Sequence, residues 1–196
     1  MVTLKDYRER PHWSFSALNQ FFNICSLQYA FDKIYRLPKA FTPLPLSFGS
    51  AFHRVMEWAA FTRMQGQTPM AAEASDLFQT LWGRQQEEDA NIKYDEGEDS
   101  DTCAAQGRSM CACIVGAADP EEMVLSVSEA FCVPLTCADG ESLETPLIGE
   151  IDCAVEKGGA RTLVDWTPSG RRWPTDKATK DWHPTAFLSG DRLKPG

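Results

Sequence analysis

The hydrophobic pattern of this chain changes its period part-way along, and this change restricts the fold more than any other sequence feature. Up to about residue 117, apolar residues recur every three or four positions, which predicts helices. From Met123 onwards they alternate with polar residues, which predicts strands. The predicted strands are 123–136, 146–156 and 160–166. Turns at Asp139-Gly140 and Lys157-Gly158-Gly159 join them into an antiparallel meander, so the chain has an α+β or mixed α/β fold.

Several helices are predicted from this pattern. The first, capped by Ser14 or Ser16, has one apolar face, and its members are Leu18, Phe21, Phe22, Cys25 and Tyr29. The second begins at Ser47, and its buried stripe comprises Phe52, Val55, Met56, Ala59 and Ala60. The third spans about 69–86, and a weaker fourth spans 102–117. A last helix is expected over 175–188, although Pro184 weakens it.

The charge of the chain is distributed unevenly. The net charge of −9 by itself argues against a nucleic-acid partner. However, residues 1–48 and 156–196 each carry +3, whereas residues 49–155 carry −15. Eight acids against Lys93 make 87–101 the most acidic stretch, and we predict that it is a solvated loop. The basic ends can still bind phosphate where they meet.

Composition and cysteine usage predict the compartment. No apolar run reaches the ~18 residues of a membrane-spanning helix, and no apolar stretch follows the charged first ten residues as in a secretory signal. The seven cysteines are odd in number and irregularly spaced in a chain of 196 residues that is long enough to form a core without disulfides. We therefore expect a cytoplasmic protein with a single domain, and we assign all seven cysteines to structural roles.

Two acidic residues at strand ends are the strongest local signal for chemistry. Asp152 lies on the second predicted strand and Asp165 at the end of the third, and the short glycine turn makes these strands neighbours. Strand alternation places Asp165 and Thr167 on one face. Two carboxylates that face the same way repel each other unless a cation such as Mg²⁺ or Mn²⁺ lies between them. Alternatively, both are solvated acids at strand ends.

His53 is the other candidate ligand. It lies on the second predicted helix, four residues before Glu57. Imidazole is a good ligand for Mn²⁺ beside carboxylates. Alternatively, His53 is a polar residue at the edge of an apolar helix face. The cysteine spacing at Cys103, Cys111 and Cys113 does not match a zinc site.

Four segments together resemble the RecB-like branch of the PD-(D/E)XK nuclease superfamily. The stretch from Ser14 through Phe31, followed by Leu37-Pro38, resembles the opening of that branch. Phe48-Gly-Ser-Ala-Phe-His53 resembles its histidine motif, and Leu147-Ile-Gly-Glu-Ile-Asp152 resembles its Gly-x-x-Asp motif. Leu163-Val-Asp165-Trp-Thr-Pro-Ser169 occupies the place of its Asp-Tyr-Lys-Thr motif. The four segments follow the order of the family and cover about residues 13–188.

This resemblance implies a fold and an activity. The implied fold is a restriction-endonuclease-like α/β core, in which helices flank a central mixed sheet with an antiparallel meander. The implied metal ligands for Mg²⁺ or Mn²⁺ are His53, Asp152, Asp165 and the backbone carbonyl of Trp166. The implied activity is metal-dependent hydrolysis of DNA phosphodiesters in repair, recombination or phage and mobile-element defence, with DNA as substrate and a helicase or recombination protein as partner.

The chain departs from the family pattern at several positions. Thr167 stands where the family has a catalytic lysine, and the later Gln-x-x-x-Tyr motif reads as a segment from His183 to Phe187. The sequence ends at Gly196, before the further strand that usually follows, which suggests truncation of the domain. Members of the family with an iron–sulfur cluster have three more cysteines in that region. Cys25 therefore has no partners, and no such cluster is expected.

Substrate contacts and the final choice of function follow from these matches. The candidate DNA-binding residues are Ser169, Arg171, Arg172, Lys177, Lys180, His183 and Phe187. Either arginine or either lysine could supply the missing ammonium or guanidinium charge, or all four could form a solvated basic surface.

Three functions remain open, namely an impaired metal-dependent nuclease, a degenerate relative that binds DNA or protein, and an interaction domain with solvent-facing acids. We favour the nuclease family.

Overall fold

The computed structural model describes residues 2–137, 139–169, 174–175 and 182–193. The chain divides into two compact units. The terminal unit comprises Met1–Pro38, Ser128–Ile151 and Arg171–Gly196, and the helical unit comprises Lys39–Val127 and Asp152–Gly170. Two long strands pass from one unit into the other. The prediction of a single domain stays a prediction.

The helices in chain order are α1 (Leu4–Arg8), α2 (Phe15–Asn19), α3 (Ser26–Tyr29), α4 (Leu44–Met64), α5 (Ala71–Glu88), α6 (Ser100–Gly116) and α7 (Trp182–Leu193). Segments Gln20–Ile24 and Ala30–Ile34 are π-helical. The strands are β1 (Trp13–Ser14), β2 (Thr42–Pro43), β3 (Ile92–Lys93), β4 (Met123–Val133), β5 (Leu147–Lys157) and β6 (Ala160–Val164). No described helix is both long enough and apolar enough to cross a membrane.

The main sheet is mixed, as predicted. Its order is β1-β5-β4, and β6 also pairs with β5. Strand β1 runs parallel to β5, whereas β6 runs antiparallel to it, with Cys153 opposite Val164 and Lys157 opposite Ala160. The prediction that Asp152 and Asp165 come from neighbouring antiparallel chain segments is therefore confirmed. The parallel partner β1 and the small parallel pair of β2 and β3 were not predicted.

The core of the helical unit lies between α4, α5 and α6. The stripe predicted for the second helix is buried as expected, because its residues lie on one side of α4. The largest buried side chains are those of Phe78 and Trp82 on α5, whose rings are stacked with an interplanar angle of 13°. The Trp82 indole N–H donates to the carbonyl of Ser100 at 3.1 Å. Ala60 of α4 also joins a smaller cluster with Cys153 and Val155 of β5.

The N-terminal helical pattern was interpreted wrongly in part. Ser14 does cap α2, because its hydroxyl accepts the Ala17 N–H at 3.3 Å. The helix ends at Asn19, however, and the chain continues through π-helical and α-helical turns that bury no residue. Phe22 is 62% exposed and Ile24 is 64% exposed. Three- and four-residue spacing thus predicted the helical conformation, but the apolar face that it predicted is not buried.

The acidic stretch 87–101 is not one solvated loop. Its first two residues complete α5, its last two begin α6, and β3 lies between them. The Asp99 carboxylate caps α6 by accepting the Thr102 N–H at 2.8 Å. The Asp99 carboxylate therefore helps to begin a helix, as negative charge near a helix N-terminus does.

The described part of the final helix comprises Trp182–Leu193, so it extends past the predicted end at residue 188. Pro184 lies in its first turn, where a residue without an N–H removes no intrahelical hydrogen bond. The predicted helix residues 176–181 lie outside the part of the chain that the structure describes.

The cysteines fall into two groups. Burial raises the pKa of Cys111 to about 12 and that of Cys153 to about 11, so these thiols are protonated and inert near neutral pH. Cys103 is also buried. Cys137, by contrast, is exposed and follows the end of β4.

Close packing of α5 against α6 gives a stability prediction. A Cβ placed on Gly107 would overlap the Phe78 ring, whereas Gly83 of α5 has nothing within 4 Å. We expect Gly107→Ala to destabilise the chain by about 1–3 kcal/mol through overpacking. Gly83→Ala should instead stabilise it by ~0.5–1 kcal/mol, because alanine is the better helix former. Urea unfolding of both variants tests this, and equal effects would contradict the described packing.

Candidate metal and catalytic site

The described candidate site lies within the helical unit, where His53 of α4 meets the hairpin of β5 and β6. His53 follows Phe52 in the buried stripe, so its side chain is at the edge of that stripe and 37% exposed. Its Nδ1 lies 3.6 Å from Oδ2 of Asp152. The His53 and Trp166 rings are 6.3 Å apart with an interplanar angle of 73°. The structure therefore brings together His53 and Asp152, which are 99 positions apart in the sequence.

The register of the hairpin places the two aspartates opposite each other, one step beyond the last pair of the ladder. Cys153 lies opposite Val164, and the next step of an antiparallel ladder leads to Asp152 and Asp165. Strand β6 ends at Val164, two residues earlier than predicted. The reason is visible at Trp166, whose backbone N–H donates to Oδ2 of Asp152 at 2.8 Å. A side-chain carboxylate thus replaces the backbone partner at the point where the ladder ends.

Asp152 is the most strongly perturbed acid of the site. Its side chain is only 15% exposed. Burial raises the pKa of this carboxyl, and the negative charges of Asp165 and Glu57 raise it further. The hydrogen bond from Trp166 and the charge of His53 act in the opposite direction, but the pKa remains raised. A carboxylate in this setting is stabilised by any cation that approaches it.

Glu57 is a member of the site that the candidate set omitted. It lies one helical turn after His53 on α4, and its negative charge raises the pKa of Asp152. The available signal was the four-residue spacing from His53, because residues i and i+4 lie on the same helix face. That spacing becomes informative only once the strand that α4 faces is known.

Thr167, in the position of the family lysine, contacts the site through Asp165. Its hydroxyl donates to Oδ2 of Asp165 at 2.6 Å, and both side chains are exposed. This contact agrees with the predicted placement of Asp165 and Thr167 on one face. It also means that the threonine orients a carboxylate and adds no positive charge.

The donor types fit a divalent cation, although a closed ligand set is not formed. Within the described residues, no three His, Cys, Asp or Glu side chains are arranged to hold a metal ion. His53 and Asp152 offer two donors side by side, and Asp165 lies near enough for its charge to act on Asp152. One imidazole nitrogen with carboxylate oxygens is a donor set that suits Mn²⁺ and Mg²⁺. Coordination of one ion by all three, with the Trp166 carbonyl, stays a prediction.

The predicted substrate contacts are distributed elsewhere. Ser169 lines a cavity of about 250 Å³ together with Asp95 and Glu98, whose charges disfavour a phosphate there. His183 and Phe187 belong to the terminal unit, where their rings are 4.5 Å apart in an edge-on arrangement. The remaining candidates lie outside the described residues, namely Arg171, Arg172, Lys177 and Lys180.

The raised pKa of Asp152 predicts how stability depends on pH. A carboxyl whose folded pKa exceeds its ordinary value of 3.8 favours folding most when it is protonated. Its contribution is present at low pH and is lost as the pH rises through the folded pKa. We therefore expect Asp152→Asn to be more stable than wild type at neutral pH in chelator, with a difference that shrinks as the pH falls through the raised pKa towards the ordinary value of 3.8.

Urea unfolding across this pH range measures the effect. Asp95→Asn is the matched control, because its carboxylate is exposed, is not among the charges that act on Asp152, and such a change alters stability by only ~0.5 kcal/mol. An Asp152→Asn protein that is less stable than wild type at neutral pH would show that the buried carboxylate is net stabilising.

Searches of curated proteins and of solved structures found no significant match. A sequence profile described as the PD-(D/E)XK nuclease superfamily matches residues 12–186. This match covers most of the chain and includes His53, Asp152 and Asp165. The chain therefore belongs to the PD-(D/E)XK nuclease superfamily, whose members are generally divalent-metal-dependent nucleases.

Proposed function

We propose that this chain is a RecB-like member of its superfamily that hydrolyses DNA phosphodiester bonds with Mg²⁺ or Mn²⁺, at a rate reduced by Thr167. The proposal includes an exonuclease role in DNA repair or recombination. The observation that carries it is the pairing of His53 with the buried Asp152 at the end of the β5–β6 hairpin. The superfamily match adds nuclease chemistry to that geometry.

Each site residue has a separate task in this proposal. His53, Asp152, Asp165 and the Trp166 carbonyl would hold the cation, which when bound polarises a phosphoryl oxygen and lowers the pKa of a water. Asp152 is already oriented, because the Trp166 N–H holds its Oδ2 and His53 lies beside that same oxygen. Asp165 is oriented by the Thr167 hydroxyl. Both carboxylates are therefore held by defined contacts, and closing the ligand set around one cation would still require movement of these side chains.

Thr167 is the reason for expecting a slow enzyme. A lysine two residues after Asp165 would add an ammonium that stabilises charge developing in the transition state. The threonine hydroxyl has no charge, and in this structure it donates to Asp165. Loss of one preorganised contact of this kind costs ~10²–10³ in rate.

The second candidate is a degenerate relative that binds DNA without cutting it. The contact between Thr167 and Asp165 favours this alternative, because the residue in the proposed lysine position donates a hydrogen bond to a carboxylate and supplies no positive charge. His183 and Phe187 favour it as well, since they stand in place of a glutamine and a tyrosine. Cleavage measurements separate the two candidates.

The first prediction concerns metal binding. We expect wild type to bind Mn²⁺, and Asp152→Ala to bind it at least ~10-fold more weakly, because a buried ligand carboxylate is lost. Isothermal titration calorimetry measures both affinities. Asp101→Ala removes an exposed carboxylate at the start of α6 and serves as the matched control. Equal Mn²⁺ binding by wild type and Asp152→Ala would reject the assigned metal site.

The second prediction concerns the missing lysine. We expect weak cleavage by wild type, and Thr167→Lys should raise it by up to ~10²-fold by supplying the absent charge. Single-turnover cleavage of labelled single- and double-stranded DNA with Mn²⁺ measures the rate. Thr162→Lys adds the same charge to the same hairpin, on the alternate face of β6, and should leave the rate unchanged.

The variant Asp165→Ala, which lacks one of the proposed metal ligands, completes this set of proteins. If wild type cleaves strongly and Asp165→Ala abolishes this cleavage, another residue supplies the positive charge. That outcome would reject the proposal that Thr167 reduces the rate. DNA binding by every variant, with cleavage by none, would replace the nuclease proposal with the binding alternative.

A further inference from the structure

A cavity in the terminal unit has the lining of a nucleotide site. Its volume is about 370 Å³, within the range of small-molecule pockets. Buried side chains of Phe131, Leu147 and Ile148 contribute apolar surface to it. All of the lining residues belong to the terminal unit. We call it the Arg8 cavity, after the arginine of α1 that lines it.

Basic side chains from three separate segments line this cavity. Arg8 comes from α1, His12 from the chain before β1, and Lys33 from the second π-helical segment. Arg8 and Lys33 are exposed, so a ligand can reach both of them from solvent. Lys33 also lies 3.2 Å from the Asp32 carboxylate, which leaves its other ammonium hydrogens available to a ligand.

The histidine of this set is held in a defined orientation. The Nδ1–H of His12 donates to the Arg10 carbonyl at 2.7 Å, because a carbonyl can only accept. Nε2 is therefore the ring nitrogen that remains for a ligand, and it donates to a phosphate oxygen when the ring is protonated. Guanidinium, ammonium and imidazole groups around one space are the chemistry that binds phosphate oxygens.

Hydroxyl groups add further donors. The hydroxyls of Ser14 and Ser16 lie 3.1 Å apart, and both residues line the cavity. Ser14 is partly fixed, because it accepts the Ala17 N–H. Glu150 is the acid that accompanies these residues in the lining, and it can accept hydrogen bonds from a sugar hydroxyl or a base amino group.

One wall of the cavity is aromatic. The Phe15 and His183 rings are stacked with centroids 4.5 Å apart and an interplanar angle of 29°. Phe187 packs edge-on against His183 and against Phe131. Flat rings of this kind stack with nucleic-acid bases of any sequence. His183 and Phe187 were expected to contact substrate, but the basic side chains and the serines of this cavity were not.

We propose that the Arg8 cavity binds the phosphomonoester of a nucleotide at the end of a DNA strand. A terminal phosphate carries more negative charge than a phosphodiester within the strand, and the cavity offers two separate cationic side chains to it, Arg8 and Lys33. The aromatic wall gives the adjoining base a stacking surface. The inference rests on the proposed function only in taking DNA as the source of the phosphate, because a free nucleotide presents the same group.

Binding without metal tests this proposal independently of cleavage. Fluorescence anisotropy in chelator would compare labelled single-stranded oligonucleotides with a phosphate at the 5′ end, at the 3′ end or at neither. We expect at least ~10-fold tighter binding of one phosphorylated form. The double variant Arg8→Ala/Lys33→Ala should lose that preference. Lys5→Ala/Arg10→Ala removes the same charge outside the cavity lining and should keep it.

Competition with a free deoxynucleoside monophosphate identifies the source of the phosphate. If it displaces the oligonucleotide only at much higher concentration, the ligand is a strand end, and if the two bind equally, it is the mononucleotide. Equal binding of all three oligonucleotides, or a preference that survives in Arg8→Ala/Lys33→Ala, would overturn the assignment. A protein that cuts DNA but shows no end preference refutes this inference alone, whereas one with the preference and no cleavage refutes the nuclease proposal alone.

Discussion

The Asp152 carboxylate accepts the Trp166 backbone N–H at 2.8 Å, and this bond ties strand β5 to the chain that leaves β6. A carboxylate that is only 15% exposed requires partners, because burial without hydrogen bonds or counter-charge is costly. Trp166 supplies one partner and His53 of α4 supplies the other. The strand pair, the helix that packs on it and the candidate ligands are thus held in register by contacts to one carboxyl group.

The same carboxylate connects stability with function. Asp165 and Glu57 place further negative charge near it, so this end of the hairpin is electrostatically unfavourable without a cation. Sites that bind or catalyse commonly retain such unfavourable arrangements, since the ligand relieves them. Thr167 does not relieve this one, because its hydroxyl donates to Asp165 and brings no charge. This is the physical reason for proposing a divalent ion here, and for proposing that Thr167 leaves its chemistry without the assistance of a lysine.

Local sequence patterns predicted those elements whose residues pack against neighbours at regular spacing. The stripe of α4 and the alternation along β5 arise from helix and strand periodicity, and both are buried as expected. The pattern of residues 15–34 has similar spacing but is exposed, since periodicity identifies an apolar face without saying what covers it. Strand β1 was missed because two residues carry no period, and its pairing with β5 depends on contacts far along the chain.

The sequence by itself determined the family, the helix-to-strand order and the candidate ligands, because motifs in a fixed order record which residue types the chemistry requires. It did not determine that Asp152 is only 15% exposed or that Glu57 acts on it. Those facts depend on distances between segments separated by up to about a hundred residues, which no local pattern encodes. The Arg8 cavity is the clearest case, because α1, β1, β5 and α7 each contribute side chains that line one space only when the chain folds.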